Sequence, residues 1–370
     1  MEYILFAIKL IAYLVLIWIT YFITVENKDE ILCNNTINSK YNVTCISKIF
    51  VIATATSIYS FICSADPYAA DRDNYDYYFS NGITGSMTPA LNGIAEFVHL
   101  LTYDSDVFFY VVSFITVAVF YLGYSLYEKI DEKAVILIGC SQCYIYSFYL
   151  LKQAPAIAFA SLFLFSALKK ENMLSVISII FAILFHESAI ILIPIWILFR
   201  FAEIKWVRGI VYCAAIILVV GFAPLTGIMV SIIEGIIPAL YNQIQGYVNE
   251  SGNLAQGLYL MTIIKGAPYY LICFYAIIKR RKMHTLIDNY DRFLLISVFA
   301  ACATALSGYM YWMWRFGAFF YFPTLIFASK IINCIDNKLE KVCTYTGLSF
   351  VLLFFTFRYL YQIYFLYGGF

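Results

Sequence analysis

The sequence predicts an all-α fold: a polytopic integral membrane helix bundle of about 12 transmembrane helices, with an interfacial amphipathic helix after the second. Three observations carry that prediction. Hydrophobic residues make up 63% of the chain and charged residues only 13%, against roughly 25% charged in a soluble domain. Apolar runs close to the ~20 residues that a bilayer crossing takes recur from end to end. The linkers between them alternate between basic and nearly free of Lys and Arg, as loops on opposite sides of a membrane do.

The first run, 3–25, lacks a small-residue cleavage site and is expected to be a retained helix, not a removed signal peptide. Further helices are expected at 46–64, 105–127, 134–151, 153–168, 172–186, 188–202, 207–225, 255–278, 292–311, 316–334 and 342–362. The chain, 1–370, reads as a single membrane domain with two outward loops, 65–104 and 226–254. One set of linkers holds Lys28, Lys40, Lys48, Lys129, Lys133, Lys169, Lys170, Arg200, Lys205, Arg208, the run Lys279-Arg280-Arg281-Lys282, Lys330, Lys338 and Lys341. The positive-inside rule assigns these to the cytoplasm and both termini to the outside.

A net charge of +1 excludes bulk electrostatic attraction to nucleic acid. The ten cysteines are scattered; Cys140 and Cys143 have redox spacing but sit in an apolar helix, where they read as small buried hydrophobes. Asn34-Asn-Thr and Asn42-Val-Thr match the glycosylation sequon, a short pattern that chance often supplies.

Few cations remain on the outward side: Arg72, Lys152, Lys265, Arg315 and Arg358. A positive charge near a membrane with no topological job needs another reason to be there. Each singly fits an interfacial anchor or a counter-ion. Together they predict an outward anion site.

The outward loops supply partners. The stretch 71-DRDNYDYYF-79 offers Asp73 as a general base and Tyr75 and Tyr78 as stacking faces for sugar rings. It also reads as a plain solvated loop, and its resemblance to a calcium loop lacks the Gly and closing Glu. In 87-MTPALNGIAEFVHLLT-102, Thr88 suits an N-cap and Pro89 the first helical position. Leu91, Ile94, Ala95, Val98 and Leu101 share one face, opposite Asn92, Glu96 and His99, which predicts a helix lying flat in the outer interface. The amides and Tyr247 of 226–254 suit sugar hydroxyls and any solvated loop equally.

Three anomalies interrupt the apolar runs. His186 and Glu187 fall at an outward turn in 181-FAILFHESAIILIP-194, with Ser188 placed to cap the next helix. An imidazole there can take a proton from a hydroxyl, and it can equally be an interfacial side chain satisfied by backbone. Lys152 and Gln153 break another run at a neighbouring outward turn. Arg315 stands among aromatics that include Trp312 and Trp314, and a guanidinium forks onto phosphate oxygens.

In this order, 71-DRDNYDYYF-79, 152-KQAPAIAF-159, 186-HESAI-190 and 315-RFGAFFYF-322 resemble the EpsG family, a Wzy-like group of polysaccharide repeat-unit polymerases. The resemblance runs from the second helix to the eleventh, and the His-x-Ser-Ala element is its most specific part. Lys152 stands where the family commonly has Arg, and a Lys binds phosphate as a point charge. The resemblance implies a glycosyltransferase of a bacterial inner membrane, with its active site facing the periplasm. It would join undecaprenyl-diphosphate-linked glycans into O-antigen (lipopolysaccharide), capsule or exopolysaccharide. It implies a bilayer and a chain-length regulator as partners and no cofactor.

On that scheme His186 or Asp73 is catalytic, and Arg315, Lys152, Arg72, Arg358 and Lys265 bind diphosphate. Tyr75, Tyr78, Gln153, Glu187, Trp312 and Trp314 line the glycan, with no metal. The alternatives are a polyprenyl-phosphosugar-dependent transferase adding one sugar, a lipid-linked oligosaccharide flippase, and an outward acyltransferase. A flippase is expected to show two related halves, and the sequence shows no convincing internal repeat.

Overall fold

The computed structural model describes residues 2–25, 43–64, 72–82, 87–128, 130–142, 144–145, 150–219, 264–308 and 313–361. Every regular element among them is helical. The sequon asparagines Asn34 and Asn42, the loop 226–254, Cys143 and Trp312 lie outside the described residues. The chain divides into two compact units, Met1–Leu192 with Ile335–Phe370, and Ile193–Cys334.

The first unit contains α1 (Glu2–Val25), α2 (Val43–Ser64), α3 (Arg72–Ser80), α4 (Pro89–His99), α5 (Ser105–Tyr127), α6 (Glu132–Gly139), α7 (Gln153–Leu168) and α8 (Asn172–Phe185). A 3-10 turn, Glu187–Ile191, follows α8. The second unit takes up α9 (Leu192–Phe201) from its second residue, then α10 (Ala267–Met283), α11 (Tyr290–Leu306) and α12 (Trp314–Asn333). The chain returns to the first unit as α13 (Lys338–Tyr361).

Among the described residues, four helices are long and apolar enough to cross a membrane: Phe6–Thr24 of α1, and α5, α12 and α13. Ile46–Tyr59, α7 and α8 are apolar but shorter. At 16 and 14 residues, α7 and α8 fall below the ~20 of a full crossing.

α7 is the hub of the first unit, buried along nearly its whole length. It packs against α5 and α8. Gly123 makes the α5 contact possible: a Cβ there would lie 2.9 Å from the Leu162 Cα, and small residues let membrane helices approach this closely. Gly123→Ala is therefore expected to cost about 1–3 kcal/mol through overpacking. Thermal unfolding in detergent measures it, and an unchanged midpoint would refute the contact.

Two expectations need correction. Residues 134–151 do not form one continuous helix, because α6 stops at Gly139 and turns at Cys140 and Ser141. The freed carbonyls find remote donors: Tyr13 OH donates to Gly139 O, and Thr356 Oγ1 donates to Cys140 O at 2.7 Å. A break inside a bundle is tolerable when side chains satisfy the backbone in this way. Cys140 itself is buried and free. The second correction concerns α4. The helix forms with Pro89 in its first turn, but the Thr88 side chain makes no capping bond. Leu91, Ala95 and Val98 are fully buried, packed where α4 meets α5 and α8. Its apolar stripe is thus spent on protein, and Leu101, past the helix end, is exposed.

Candidate functional site

Helix direction decides which candidates meet. In the α7–α8 hairpin, Ser166 Oγ lies 2.9 Å from Ser175 Oγ near the turn. Further along, Phe159 stacks on Phe181 and Phe185 at 5.1 and 5.6 Å. This antiparallel register returns His186 to the level where α7 starts. Lys152, Gln153, His186 and Glu187 therefore share one end of the hairpin, with Lys169 and Lys170 at the other.

α5 runs parallel to α7, since Gly123 faces Leu162 while Tyr124 and Tyr127 stack on Phe165 at 6.0 and 5.6 Å. The start of α5 is thus at the Lys152 end. There the Asp104 side chain caps α5 by accepting from Asp106 N at 3.0 Å. Asp106 in turn pairs with Arg72, which carries α3 to the same end. In α13, Thr356 reaches Cys140 O just past the end of α6, and Arg358, two residues further on, is half-buried.

The side chains differ in availability. Asp73 and Glu187 are exposed, and Tyr78 is half-buried. Tyr75 is buried, so its ring packs the core instead of offering a stacking face. Arg72 is an ion-pair partner of Asp106 and lies 4.4 Å over the Phe109 ring, so much of its charge is answered within the protein. Lys152 is half-buried and, among the described residues, its ammonium has no ion pair or hydrogen bond. Gln153 is buried at the first turn of α7.

His186 is buried and is itself the cap of the 3-10 turn. Its Nδ1 accepts from Ser188 N at 3.2 Å and lies 2.7 Å from Ser188 Oγ. Ser188 therefore does not cap the next helix, as the sequence led us to expect; it serves His186. The spacing His-x-Ser was the available signal, since a residue and its second neighbour form such a cap. His99, expected on the open face of α4, is also engaged: Nε2 donates to Phe79 O at 3.0 Å. Its ring lies between Phe79 and Tyr103, 4.1 and 4.9 Å away. It fixes the C-terminal end of α3 to α4.

The second unit presents its own end. Tyr269 stacks on Tyr321 at 4.1 Å, and Thr304 Oγ1 lies 2.7 Å from Tyr321 OH. Phe293 stacks on Phe327 further along, at 5.4 Å. The start of α10, the end of α11 and the start of α12 thus coincide, which places Lys265, Trp314 and Arg315 at one end. All three are half-buried, and the Arg315 guanidinium lies 5.9 Å from the Trp314 ring centre.

The opposite end holds Arg280, Arg281, Lys282, Arg292 and Lys330. Asp291 is buried there between guanidinium groups, 2.6 Å from Arg208 and 2.9 Å from Arg280. Among the described residues, Lys169 and Lys170 thus fall opposite Lys152 in the first unit, and Arg280, Arg281, Lys282, Arg292 and Lys330 opposite Lys265 and Arg315 in the second. Among the described residues, no group of three or more His, Cys, Asp or Glu could hold a metal ion.

Helices long and apolar enough to cross a membrane define a membrane protein, and each unit by itself carries candidate anion-binding cations at one end. More particularly, the model of the EpsG family matches residues 48–368, most of the chain, and the protein belongs to that family. No curated protein and no solved structure matches it.

Proposed function

We propose that the protein is a Wzy-like polymerase that joins polyprenyl-diphosphate-linked glycan repeat units at the periplasmic face of a bacterial inner membrane. Family membership supports the polymerase class. The observation that carries the assignment to this site is the shared end in the first unit. At that end lie Lys152, whose ammonium has no partner among the described residues, the buried imidazole of His186 and the exposed carboxylate of Asp73. Those are the parts a lipid diphosphate sugar requires: charge for the leaving group and an acceptor for a proton.

In the reaction, a hydroxyl oxygen of one lipid-linked unit bonds to the anomeric carbon of the chain on a second lipid. The bond from that carbon to the phosphate oxygen breaks, and polyprenyl diphosphate departs with the electron pair. The hydroxyl proton passes to His186 or Asp73. In the first unit Lys152 and Arg358 stabilise the departing charge, with Arg72 a weaker contributor because Asp106 already answers it; Lys265 and Arg315 are the diphosphate-binding candidates of the second unit. Direct displacement inverts the anomeric centre. In the first unit Gln153, Tyr78 and Glu187 contact the glycan, while buried Tyr75 supports α3 from within; Trp312 and Trp314 are the glycan-binding candidates of the second unit. The few Lys and Arg at the site end direct it to the periplasm.

The surface glycan of a deletion strain tests the class. A single retained repeat with no ladder above it is the expected phenotype. Loss of all surface glycan would point to export or an earlier transfer, and an unchanged ladder would refute the proposal.

A further inference from the structure

The contacts of His186 Nδ1 fix where its proton sits. A backbone N–H only donates, so the contact from Ser188 N makes Nδ1 an acceptor. The Ser188 hydroxyl faces the same lone pair at 2.7 Å and donates into it too. A neutral imidazole carries one proton on one of its two nitrogens. With Nδ1 occupied as an acceptor, that proton is on Nε2. The ring is buried, so protonating Nδ1 would mean breaking both contacts in a place where little water can replace them.

We infer that Ser188 is a positioning residue that holds His186 as its Nε2–H tautomer, and that His186 therefore acts as hydrogen-bond donor to an anionic diphosphate oxygen, not as the base. This rests on the polymerase proposal and narrows it. The hydroxyl proton then goes to a carboxylate. Asp73 is exposed at the start of α3, on the same end of the first unit. The electron pair leaving the anomeric carbon ends on the diphosphate oxygen, where Nε2–H and the Lys152 ammonium receive it. The same contacts explain the spacing. Ser two residues after His reaches the ring from the first turn of the helix that His caps, while Glu187 between them points out to solvent.

Nitrogen-15 spectra of histidine-labelled protein test the tautomer without substrate. The chain has three His, and the His186 signals are those lost in His186→Gln. Should that variant not fold, they are the signals that remain when His99 and His284 are replaced. The expected spectrum of the neutral ring has a bare Nδ1 and a protonated Nε2. A protonated Nδ1 would overturn the inference while leaving the polymerase assignment standing.

Glycan ladders then test the roles. His186→Gln, which keeps an N–H donor, is expected to retain more extension than His186→Glu, which supplies a base. The reverse order would sink the donor role. Ser188→Ala is expected to lower extension by up to about tenfold, the scale of one hydrogen bond. It should also make Nδ1-protonated ring detectable, with Ser188→Thr restoring both. A Ser188→Ala protein unchanged in spectrum and ladder would end the positioning role. A correct tautomer in a protein whose deletion leaves the ladder intact would instead refute the polymerase proposal.

Discussion

Replacing Arg315 with Ala is expected to abolish long glycan chains while the protein still inserts and accumulates. The residue begins α12, half-buried beside Trp314, at the end of the second unit where Lys265 also lies. A preorganised guanidinium is worth most where charge develops, and removing one such donor typically slows reaction on the order of 100- to 1,000-fold. Arg315→Lys keeps the charge but loses the planar fork, so chains of intermediate length are expected. Quantified ladders at matched protein levels measure this. Wild-type chain lengths in Arg315→Ala would refute a diphosphate-binding role for Arg315.

Replacing Asp291 is expected to have the largest effect on stability. Its carboxylate is buried and pairs with the equally buried Arg208, which also donates to Ala202 O at 2.7 Å. Arg280 adds a bidentate grip, Nε donating to Oδ1 and Nη2 to Oδ2, each at 3.1 Å, though its exposure weakens that share. Asp291→Asn would leave the Arg208 charge buried without its counter-charge. Breaking a buried pair from one side costs about 3–5 kcal/mol. The expected result is a large drop in unfolding temperature and in membrane accumulation, largely relieved when Arg208 is also replaced by a neutral residue. A double variant no more stable than Asp291→Asn would show that the two groups are not energetically coupled.

Much of the fold could be read from composition and period. Apolar runs mark α1, α2, α5, α7, α8, α12 and α13 to within a few residues of where they lie, because a bilayer fixes helix length and hydropathy together. The alternation of basic linkers likewise anticipated that Lys152 and His186 would share an end. What escaped was set by contacts between residues distant in the chain. The break after Gly139 depends on hydroxyls 126 and 216 residues away, on Tyr13 and Thr356. The apolar stripe of α4 has the same pattern whether lipid or protein covers it, and here protein does. Tyr75 looked like a sugar platform because its neighbours are polar, yet a nine-residue helix must bury some face, and Tyr75 and Phe79 supply it. Ser188 was visible by type and misassigned by role: nothing local distinguishes a Ser that caps from one that donates into the residue that does.

Reconstitution tests the central claim most directly. Purified protein in bilayers is supplied with a single lipid diphosphate-linked oligosaccharide and no sugar donor. A ladder of chains is expected, with one polyprenyl diphosphate released for each new linkage and neither product formed by Arg315→Ala. Release without lengthening, or no turnover by wild-type protein that is folded and correctly oriented, would contradict it.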